Sequence, residues 1–516
     1  MLVGIIRGAF LSRWGFFVSR KYKLGVHLMR FSRVWWLVGV FAFVLPVMVA
    51  SSASGKPRQR LARPNILLIV VDDLGWSDLG CYGADLNETP NIDRLARGAV
   101  RFTDAYAAAP VCSPTRASIM TGKYPARLHM TIWFEASGHP PISRRLIPPK
   151  TIGNLPHEEV TLAEKLKPLG YLTAHVGKWH LGDAAHYPQT QGFDLNIGGT
   201  FWGAPPTYFY PYRGNWSRTT EFRYVPHLEF GHEGEYLTDR LTDEALRIME
   251  YAAGKPFFLH LAYHSVHTPI EAKRPVVEKY ASKLQSGLHH KNPTYAAMVE
   301  SVDQNVARVL KKLDTLGIAD QTIVMLTSDN GGFVNQHRGL QVTDNAPLRS
   351  GKGSLYEGGL RVPLIIRWPG VTPRRGVCHV PVVSTDLHAT IVDIVQGDAA
   401  GAKSGAVDGL TLVPLLRDPR AKLAREAIYF HYPHYYPTTT PVSAVRAGDW
   451  KLLEYFEDLH VELYHVSNDL GEHEDLSARM PRRAAELRRR LHDWRASIAA
   501  QMPVPNANYR AEAQSR

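Results

Sequence analysis

Three short apolar runs of the sequence end in side chains that bind metal ions or carry protons. These side chains are Asp72 and Asp73 after residues 65–71, His264 and His267 after residues 257–263, and Asp329 and Asn330 after residues 322–327. Ligands bind beyond the carboxyl ends of strands in open α/β sheets, so these ends can converge on one site. Oxygen ligands favour a hard divalent cation, Ca²⁺ or Mg²⁺, over zinc. Either acidic pair alone is equally compatible with a helix N-cap or a turn.

A cysteine, a proline and an arginine form the pattern Cys-x-Pro-x-Arg within the segment 110–122, PVCSPTRASIMTG. A second polar segment, 170–180, reads GYLTAHVGKWH. His267, the segment 328–332 (SDNGG) and the segment 348–353 (LRSGKG) follow in order. These segments together resemble the sulfatase family, and the resemblance runs from about residue 62 to the tail. A lone five-residue pattern recurs by chance, whereas two long signatures with every polar element in order are specific.

The resemblance implies a covalent modification of Cys112. In sulfatases a formylglycine-generating enzyme oxidises the motif cysteine to formylglycine, whose hydrated aldehyde is a geminal diol. One hydroxyl attacks sulfur and displaces the alcohol, and the second then loses its proton and expels sulfate. A plain serine or cysteine would instead need a separate water attack on its sulfated ester. Outside this context, Cys112 would be interpreted as a small buried thiol.

The resemblance also implies roles for cationic side chains around a sulfate ester, which gains negative charge in the transition state. Lys178 and Lys352 match the sulfate-binding lysines, and Arg116 would orient and polarise the diol. His180 would serve the proton transfers of the diol, and His267 would protonate the leaving alcohol. One divalent cation, Ca²⁺ rather than Mg²⁺, would hold the nucleophile and a sulfate oxygen. Its ligands would be Asp72, Asp73, Asp329, Asn330 and the modified Cys112.

Substrate specificity must come from outside these segments. The loop 200–213 and the tail segment 431–436 are aromatic and non-helical, and Trp202, His431 and His434 are our candidates for substrate contact. Aromatic faces and histidines beside a sulfate pocket suit a sugar ring, although packing of irregular loops explains them equally well. The tail resembles that of bacterial sulfatases acting on sulfated glycans, and a galactose or N-acetylgalactosamine sulfate is the substrate we name as a hypothesis. Aryl sulfates are expected as artificial substrates.

The elements that must hold these residues alternate between strands and helices. Apolar runs predict strands at 65–71, 257–263, 322–327 and 363–368, and helical patterns lie at 160–169, 237–253 and 295–316. A continuous apolar run such as the first is typical of a strand buried on both faces. The pattern predicts an α/β fold with a large mixed, mostly parallel sheet between helices. The resemblance makes this fold alkaline-phosphatase-like.

The tail has a different pattern, with strands predicted at 427–432, 443–456 and 461–466 and a closing amphipathic helix at 482–498. The Gly448-Asp449 turn divides the second of these into two strands. We predict a signal peptide at 1–53, a flexible lead-in at 54–63 and a catalytic domain at 64–419. A smaller C-terminal α+β subdomain with a short antiparallel sheet would occupy 420–516. The arginine run 488–490 is interpreted as a solvated helix face.

The composition of the 516 residues excludes several classes of protein. With 45% apolar and 21% charged residues, the chain is not disordered, fibrous or polytopic. The net charge is +12, but the seven basic residues of the acid-free segment 1–53 leave +5 on the rest. So small a surplus over a large domain argues against a nucleic-acid partner. Three cysteines cannot form a disulfide framework.

The N-terminal segment has the pattern of a secretory signal. Its basic residues precede an apolar run at 34–50, which small residues follow up to Ala53. Met29 offers a second possible start. The alternative is an uncleaved membrane anchor, although the run is short for a span and Pro46 interrupts it. Both interpretations predict a periplasmic or extracellular enzyme, with membrane contact only if the segment is retained.

Two other functions stay open at this point. A phosphonate monoester or phosphodiester hydrolase of the same superfamily can use the same Cys-x-Pro-x-Arg motif, although Lys178, His180 and Lys352 favour sulfate. A catalytically silent binding homologue would typically carry a broken motif, and none of the motifs is broken in this sequence. The main hypothesis is therefore an exported sulfatase.

Overall fold

The computed structural model describes residues 63–137, 143–217, 219–252, 254–397 and 407–510. The predicted signal peptide and all but the last residue of the predicted lead-in lie outside the described residues. Within these ranges, no helix combines the length and the apolar character needed to cross a membrane.

The helices and strands are numbered in chain order. The strands of the described ranges are β1 (Asn65–Val71), β2 (Val100–Phe102), β3 (Ala105–Tyr106), β4 (Leu146–Ile147), β5 (Leu172–Gly177), β6 (Leu195–Ile197), β7 (Arg213–Asn215), β8 (Phe222–Tyr224), β9 (Phe257–Ala262), β10 (Thr322–Ser328), β11 (Gln336–His337), β12 (Leu340–Gln341), β13 (Leu364–Arg367), β14 (Gly376–Cys378), β15 (Val382–Val383), β16 (Ile428–Tyr432), β17 (Val442–Ala447), β18 (Trp450–Tyr455), β19 (Val461–His465) and β20 (Val504–Pro505). The helices are α1 (Pro90–Arg97), α2 (Cys112–Thr121), α3 (Phe134–Ser137), α4 (Leu162–Leu166), α5 (Leu237–Tyr251), α6 (Arg274–Ala281), α7 (Pro293–Thr315), α8 (Glu357–Leu360), α9 (Thr385–Gln396), α10 (Val413–Arg417) and α11 (Pro481–Ser497).

An eight-stranded sheet with the order β14-β2-β13-β10-β1-β9-β5-β6 forms the centre of the molecule. β1 pairs in parallel with β10 on one side and with β9 on the other, and β5 and β6 continue the parallel arrangement. β13 runs antiparallel to both of its neighbours, β10 and β2. The sheet is therefore mixed and mostly parallel, which confirms the predicted fold class.

Two apolar cores cover the two faces of this sheet. Alternate residues of β1 enter different cores: Leu67 packs with residues of α5 and α7, and Leu68 packs with residues of α2, α4 and α9. All seven residues of β1 are buried. Because both faces are covered, the six positions after Asn65 favour apolar side chains, and the sequence shows a continuous apolar run there.

The four strands predicted from apolar runs are β1, β9, β10 and β13, with ends shifted by no more than one residue. The predicted helix at 160–169 is shorter, because α4 ends at Leu166 and a 3₁₀ turn follows. The prediction missed β2, β5, β6 and β14 of the central sheet. β2, β6 and β14 have three residues each, and the polar residues Thr173 and His175 interrupt the apolar pattern of β5.

The tail forms a four-stranded antiparallel sheet, β16-β17-β18-β19. One face packs against residues of the central part, such as Tyr106 and Leu360, and the other packs against α11. Three basic side chains of α11, Arg488, His492 and Arg495, contact the carboxylate of Glu454. The predicted C-terminal antiparallel sheet and its closing helix are thus confirmed.

Candidate active site

The carboxyl ends of β1 and β10 bring the predicted acidic residues together. The backbone N–H of Asp73 donates to Asp329 Oδ1 at 3.1 Å, and Asn330 Nδ2 donates to Asp73 Oδ1 at 2.7 Å. Asp72 completes the group and is fully buried. The parallel pairing of β1 with β10 places these ends side by side, so the tertiary fold assembles the oxygen cluster that the sequence predicted.

Lys178 follows directly after β5, where the chain passes close to β9. At Gly177 the φ angle is +103°, and a Cβ would lie 1.9 Å from the carbonyl oxygen of Ala262. Glycine therefore permits both the left-handed turn and the close approach of the two strands. The turn leaves Lys178 fully buried, with Nζ 2.7 Å from Asp72 Oδ2.

Cys112 is the first residue of α2, which ends before Gly122. Pro114 lies in the first turn of this helix, where its missing N–H breaks no helical hydrogen bond. Arg116 lies one helical turn after Cys112. Its Nε is 2.8 Å from Asp329 Oδ2, and its Nη1 donates to the Lys178 carbonyl at 2.9 Å. The arginine is 2% exposed. It therefore fixes the helix that carries Cys112 to the ends of β10 and β5.

The side chain of Cys112 lies in a strongly positive environment. Burial opposes ionisation of the thiol, but the charges of Lys178, His180 and Lys352 outweigh burial and lower the Cys112 pKa to about 6. Lys352 also contacts the oxygen cluster, with Nζ 2.7 Å from Asp73 Oδ1. The surroundings of residue 112 therefore stabilise a negative charge at that position.

The oxygen cluster fits a hard divalent cation. Asp72 Oδ1 and Asn330 Oδ1 are buried and accept no hydrogen bond from the described residues. Burial and the neighbouring Asp329 carboxylate raise the pKa of Asp72 well above its usual range. Asp72, Asp73 and His267 offer ligand atoms within 4.8 Å of one another. Crowded carboxylates, with two buried oxygens that accept no hydrogen bond, are a donor set suited to Ca²⁺ or Mg²⁺.

His180 is oriented by Glu135, a residue that the sequence analysis missed. His180 Nε2 lies 2.6 Å from Glu135 Oε2, and Glu135 Oε1 accepts a hydrogen bond from the Gly203 N–H at 2.9 Å. Burial alone would lower the His180 pKa, but the charge of Glu135 and the interaction with Cys112 together outweigh burial, and the pKa is raised. The φ angles of His180 and Asp73 are +62° and +60°, a costly conformation for residues other than glycine. Such strain is concentrated at functional sites.

His267 lies on the other side of Asp73. Its Nδ1 is 2.8 Å from the carbonyl oxygen of Thr268, so this nitrogen carries a proton, and its Nε2 is 3.6 Å from Asp73 Oδ2. Burial and the charge of Lys352 lower the His267 pKa to about 3. The ring is therefore neutral in the unliganded protein, with its Nε2 lone pair free to accept a proton.

A cavity of about 240 Å³ opens beside Cys112. Its polar lining includes Asp73, Cys112, His180, His267, Arg223 and Lys352, and its aromatic lining is formed by Trp133, Trp216, Phe333 and Tyr436. Tyr436 belongs to the aromatic tail segment 431–436, whereas the sequence analysis did not single out Trp133, Trp216, Phe333 or Arg223. The cavity joins the cationic surroundings of residue 112 to aromatic walls that can stack on a flat ligand face.

The three predicted substrate-binding residues lie elsewhere: none is among the described residues that line this cavity. His431 contacts Ser443 Oγ at 2.6 Å through Nδ1 and the Gln501 carbonyl at 2.7 Å through Nε2. His434 contacts Thr131 Oγ1 at 2.7 Å. Both histidines are buried, and their contacts account for them as packing residues of the tail. The ring of Trp202 packs against Arg223, whose Cζ lies 4.8 Å from the ring centroid and which does line the cavity.

Tyr436 is the residue of the aromatic tail segment that reaches the cavity. Its ring packs on Gly353, where a Cβ would lie 2.0 Å from Tyr436 Cδ1. Thr438 Oγ1 donates to the carbonyl of Lys352 at 2.7 Å. The tail therefore both lines the cavity and holds the loop that presents Lys352. Its aromatic composition was the available signal, but pattern alone does not show which ring points inward.

Comparisons with known proteins agree with this geometry. The sulfatase family model matches residues 64–397, and the N-sulphoglucosamine sulphohydrolase C-terminal model matches residues 351–497. A sulfatase of Formosa agariphila is 30% identical and spans 88% of this chain and 92% of its own length. Human arylsulfatase A is 34% identical over 79% of this chain and 77% of its own length.

A solved structure with the same fold is that of Ps i-CgsB in complex with k-i-k-neocarrahexaose. Its TM-score is 0.71 at 29% identity, and the match covers 87% of this chain and 95% of that chain. The chain belongs to the sulfatase family, and its homologues make it a sulfuric ester hydrolase. The predicted family, fold and enzyme class are thus confirmed.

Proposed function

We propose that the protein hydrolyses sulfate monoesters of a sulfated carbohydrate at the cavity beside Cys112. The observation that carries this proposal is the cationic environment of residue 112, which lowers the Cys112 pKa to about 6 despite complete burial. The same charges that stabilise a thiolate stabilise the negative charge of a sulfate ester as its bond to the alcohol breaks.

The aromatic lining supports a sugar as the alcohol component. Trp133 and Tyr436 pack edge to face with ring centroids 5.8 Å apart on one wall, and Trp216 and Phe333 line other parts of the cavity. Relatives support the same class: the canine N-acetylgalactosamine-6-sulfatase is 34% identical over 70% of this chain and 67% of its own length. A galactose-type sulfate ester is therefore our first choice of substrate.

Each polar residue has a role in this proposal. Conversion of Cys112 to formylglycine by a maturing enzyme would supply an oxygen nucleophile. Lys178 and Lys352 bind sulfate oxygens, and Arg116 holds the nucleophile's helix against Asp329. His180, held by Glu135, carries the proton of the nucleophile.

The divalent cation has its own ligands. A divalent cation held by Asp72, Asp73, Asp329 and Asn330 would supply additional positive charge at the sulfate oxygens.

We further propose that the N-terminal segment exports the enzyme.

The competing reaction is hydrolysis of a phosphonate monoester or phosphodiester. The phosphonate monoester hydrolase SpPMH from Silicibacter pomeroyi shares the fold at a TM-score of 0.58 and 22% identity. We expect the purified protein to turn over 4-nitrophenyl sulfate with a higher kcat/KM than bis(4-nitrophenyl) phosphate, and to release sulfate from sulfated galactose derivatives. The Cys112→Ala variant, purified in parallel, controls for host enzymes. A higher kcat/KM on the phosphodiester would contradict the proposal.

The proposed role of His267 as leaving-group acid predicts a substrate-dependent loss. A nitrophenolate leaves readily without a proton, whereas a sugar alkoxide does not, so His267→Ala should slow the sugar ester by about 10²–10⁴-fold and the aryl ester far less. Because burial and the charge of Lys352 lower the His267 pKa to about 3, the negative charge of the bound sulfate ester would have to raise this pKa for His267 to act as the acid. An equal loss on both substrates, measured as kcat, would show that His267 acts by binding or charge alone.

Binding of the divalent cation should raise both stability and activity. A ligand that binds only the folded state stabilises it by about 2.7 kcal/mol at 100 times its Kd. We therefore expect chelation to lower the melting temperature and abolish sulfate release, and added Ca²⁺ to restore both. Asp329→Asn should weaken this response, whereas Asp320→Asn, a change at an exposed carboxylate, should preserve it. Full activity of a metal-free sample, verified by elemental analysis, would refute the cation's role.

A further inference from the structure

Arg223 is a buried cation in the wall of the cavity. It lies in β8, where its neighbours Phe222 and Tyr224 are exposed while Arg223 itself is 5% exposed. Its Cζ lies 4.1 Å from the ring centroid of Trp216 and 4.8 Å from that of Trp202. Two indole rings therefore restrict the guanidinium, and their electron-rich faces favour its charge.

The hydrogen bonds of Arg223 leave its terminal nitrogens available. Nε donates to Glu221 Oε1 at 2.8 Å in an ion pair, and Nη1 lies 3.8 Å from Glu135 Oε1, within ion-pair distance but beyond hydrogen-bond distance. Glu135 instead contacts His180 and the Gly203 N–H. Within the described ranges, no atom accepts a hydrogen bond from either Nη group of Arg223. Neither Nη group is enclosed by protein atoms, and Arg223 lines the cavity, so a bound ligand can reach both groups.

The other cations near residue 112 are already assigned in the proposed function. Lys178, Lys352 and His180 surround residue 112, where the sulfate to be removed would bind. A neutral sugar ring with one sulfate offers no ionic partner for a further buried cation. A planar, fixed guanidinium matches a carboxylate or sulfate group with two parallel hydrogen bonds. Arg223 is therefore suited to a second anionic group of the substrate.

We propose that Arg223 is a specificity-determining residue that selects substrates carrying a second anionic group, either a carboxylate or another sulfate, near the sulfate ester that is cleaved. The inference rests on the proposed function and narrows its substrate class from sulfated sugars to sugars with at least two acidic groups. The second group binds the Nη side of the guanidinium, while Trp216 and Trp202 hold the cation in place.

The test compares Arg223→Gln with wild-type protein on three substrates. N-acetylgalactosamine 6-sulfate carries one acidic group, N-acetylgalactosamine 4,6-disulfate adds a sulfate, and a disaccharide that joins a uronic acid to the same 6-sulfated sugar adds a carboxylate. The readout is the kcat/KM of each dianionic substrate divided by that of the monosulfate. We expect Arg223→Gln to lower at least one ratio about tenfold or more, as for loss of a charge-assisted hydrogen-bond pair.

Two further variants separate charge recognition from folding. Arg223→Lys keeps the positive charge but loses the planar guanidinium that donates two parallel hydrogen bonds. Its ratio of kcat/KM values, dianionic substrate over monosulfate, should therefore lie between those of wild type and Arg223→Gln. Arg213→Gln changes an exposed arginine of the paired strand β7 and should keep the wild-type ratio. A merely structural role of Arg223 would lower all three kcat/KM values in proportion and leave the ratios unchanged.

The outcomes distinguish the source of the anion. A reduced ratio with the disulfate alone identifies a second sulfate, and a reduced ratio with the disaccharide alone identifies a carboxylate; either result supports the proposal. Unchanged ratios in Arg223→Gln overturn it while leaving the sulfatase function standing. Wild-type protein that releases no sulfate from 4-nitrophenyl sulfate or from any of the sugars overturns the proposed function and this inference together.

Discussion

Replacement of Cys112 by alanine should yield folded protein that releases no measurable sulfate from either an aryl or a sugar ester. Cys112 lies at the N-terminus of α2 and lines the cavity, so the substitution removes a reactive sulfur and little packing. Activity depends on the nucleophile made from this residue, whereas stability depends on the helix that carries it. Sulfate release, together with thermal unfolding followed by circular dichroism, measures the two properties separately.

Cys378 provides the matched control for this experiment. It is also a buried free cysteine, but it ends β14 and packs in one of the two cores of the central sheet. Cys378→Ala should therefore lose stability and keep its turnover per folded molecule. Appreciable activity of Cys112→Ala would overturn the formylglycine mechanism.

The chemical state of residue 112 can be measured directly. The peptide containing Cys112 should have the mass of an aldehyde in place of a thiol in active preparations. Cys112→Ser should be inactive in a host whose maturing enzyme does not convert serine. Serine has a single hydroxyl, so it lacks the second hydroxyl of the diol that expels sulfate. A sulfated serine peptide in that variant would support the proposed direction of attack.

Replacement of Lys352 by methionine should lower kcat/KM by about 10²–10³-fold, or about 2.7–4 kcal/mol of transition-state stabilisation. Lys352 is one of the cations that lower the Cys112 pKa, and its side chain lines the cavity. Methionine keeps a side chain of similar length but removes the charge that a sulfate oxygen needs. The loss should appear on aryl and sugar esters alike, because both carry the same sulfate group.

Lys123 supplies the control for the loss of a lysine charge. It lies near the C-terminal end of α2 and pairs with Glu159 at 2.6 Å in a partly exposed position. Lys123→Met should therefore keep nearly full activity. A Lys352→Met protein within about threefold of wild type would contradict the assignment of Lys352 to sulfate binding, since removal of one such donor costs about 10²–10³-fold.

The sequence predicted those elements in which all residues of a short segment share the same buried environment. β1, β9 and β10 are apolar runs because both faces of the sheet are covered, and the pattern revealed them within a residue. β5 was not predicted because two polar residues, Thr173 and His175, interrupt its apolar pattern, and the partner of His175 is the distant His260, with Nδ1 atoms 3.0 Å apart. A polar residue satisfied by a distant partner cannot be recognised from the strand's own pattern.

The sequence by itself determined the sulfatase family, the α/β class and the set of residues around Cys112, because that chemistry requires particular residue types at short spacing. Only the tertiary structure determined which residues form the walls of the cavity. Glu135, Arg223 and Tyr436 come from a four-residue helix, a short hairpin and the tail, and they meet only when distant segments pack together. The sequence could not place the tail histidines for the same reason: whether a side chain faces a cavity or a core depends on long-range packing, which leaves no local period in the sequence.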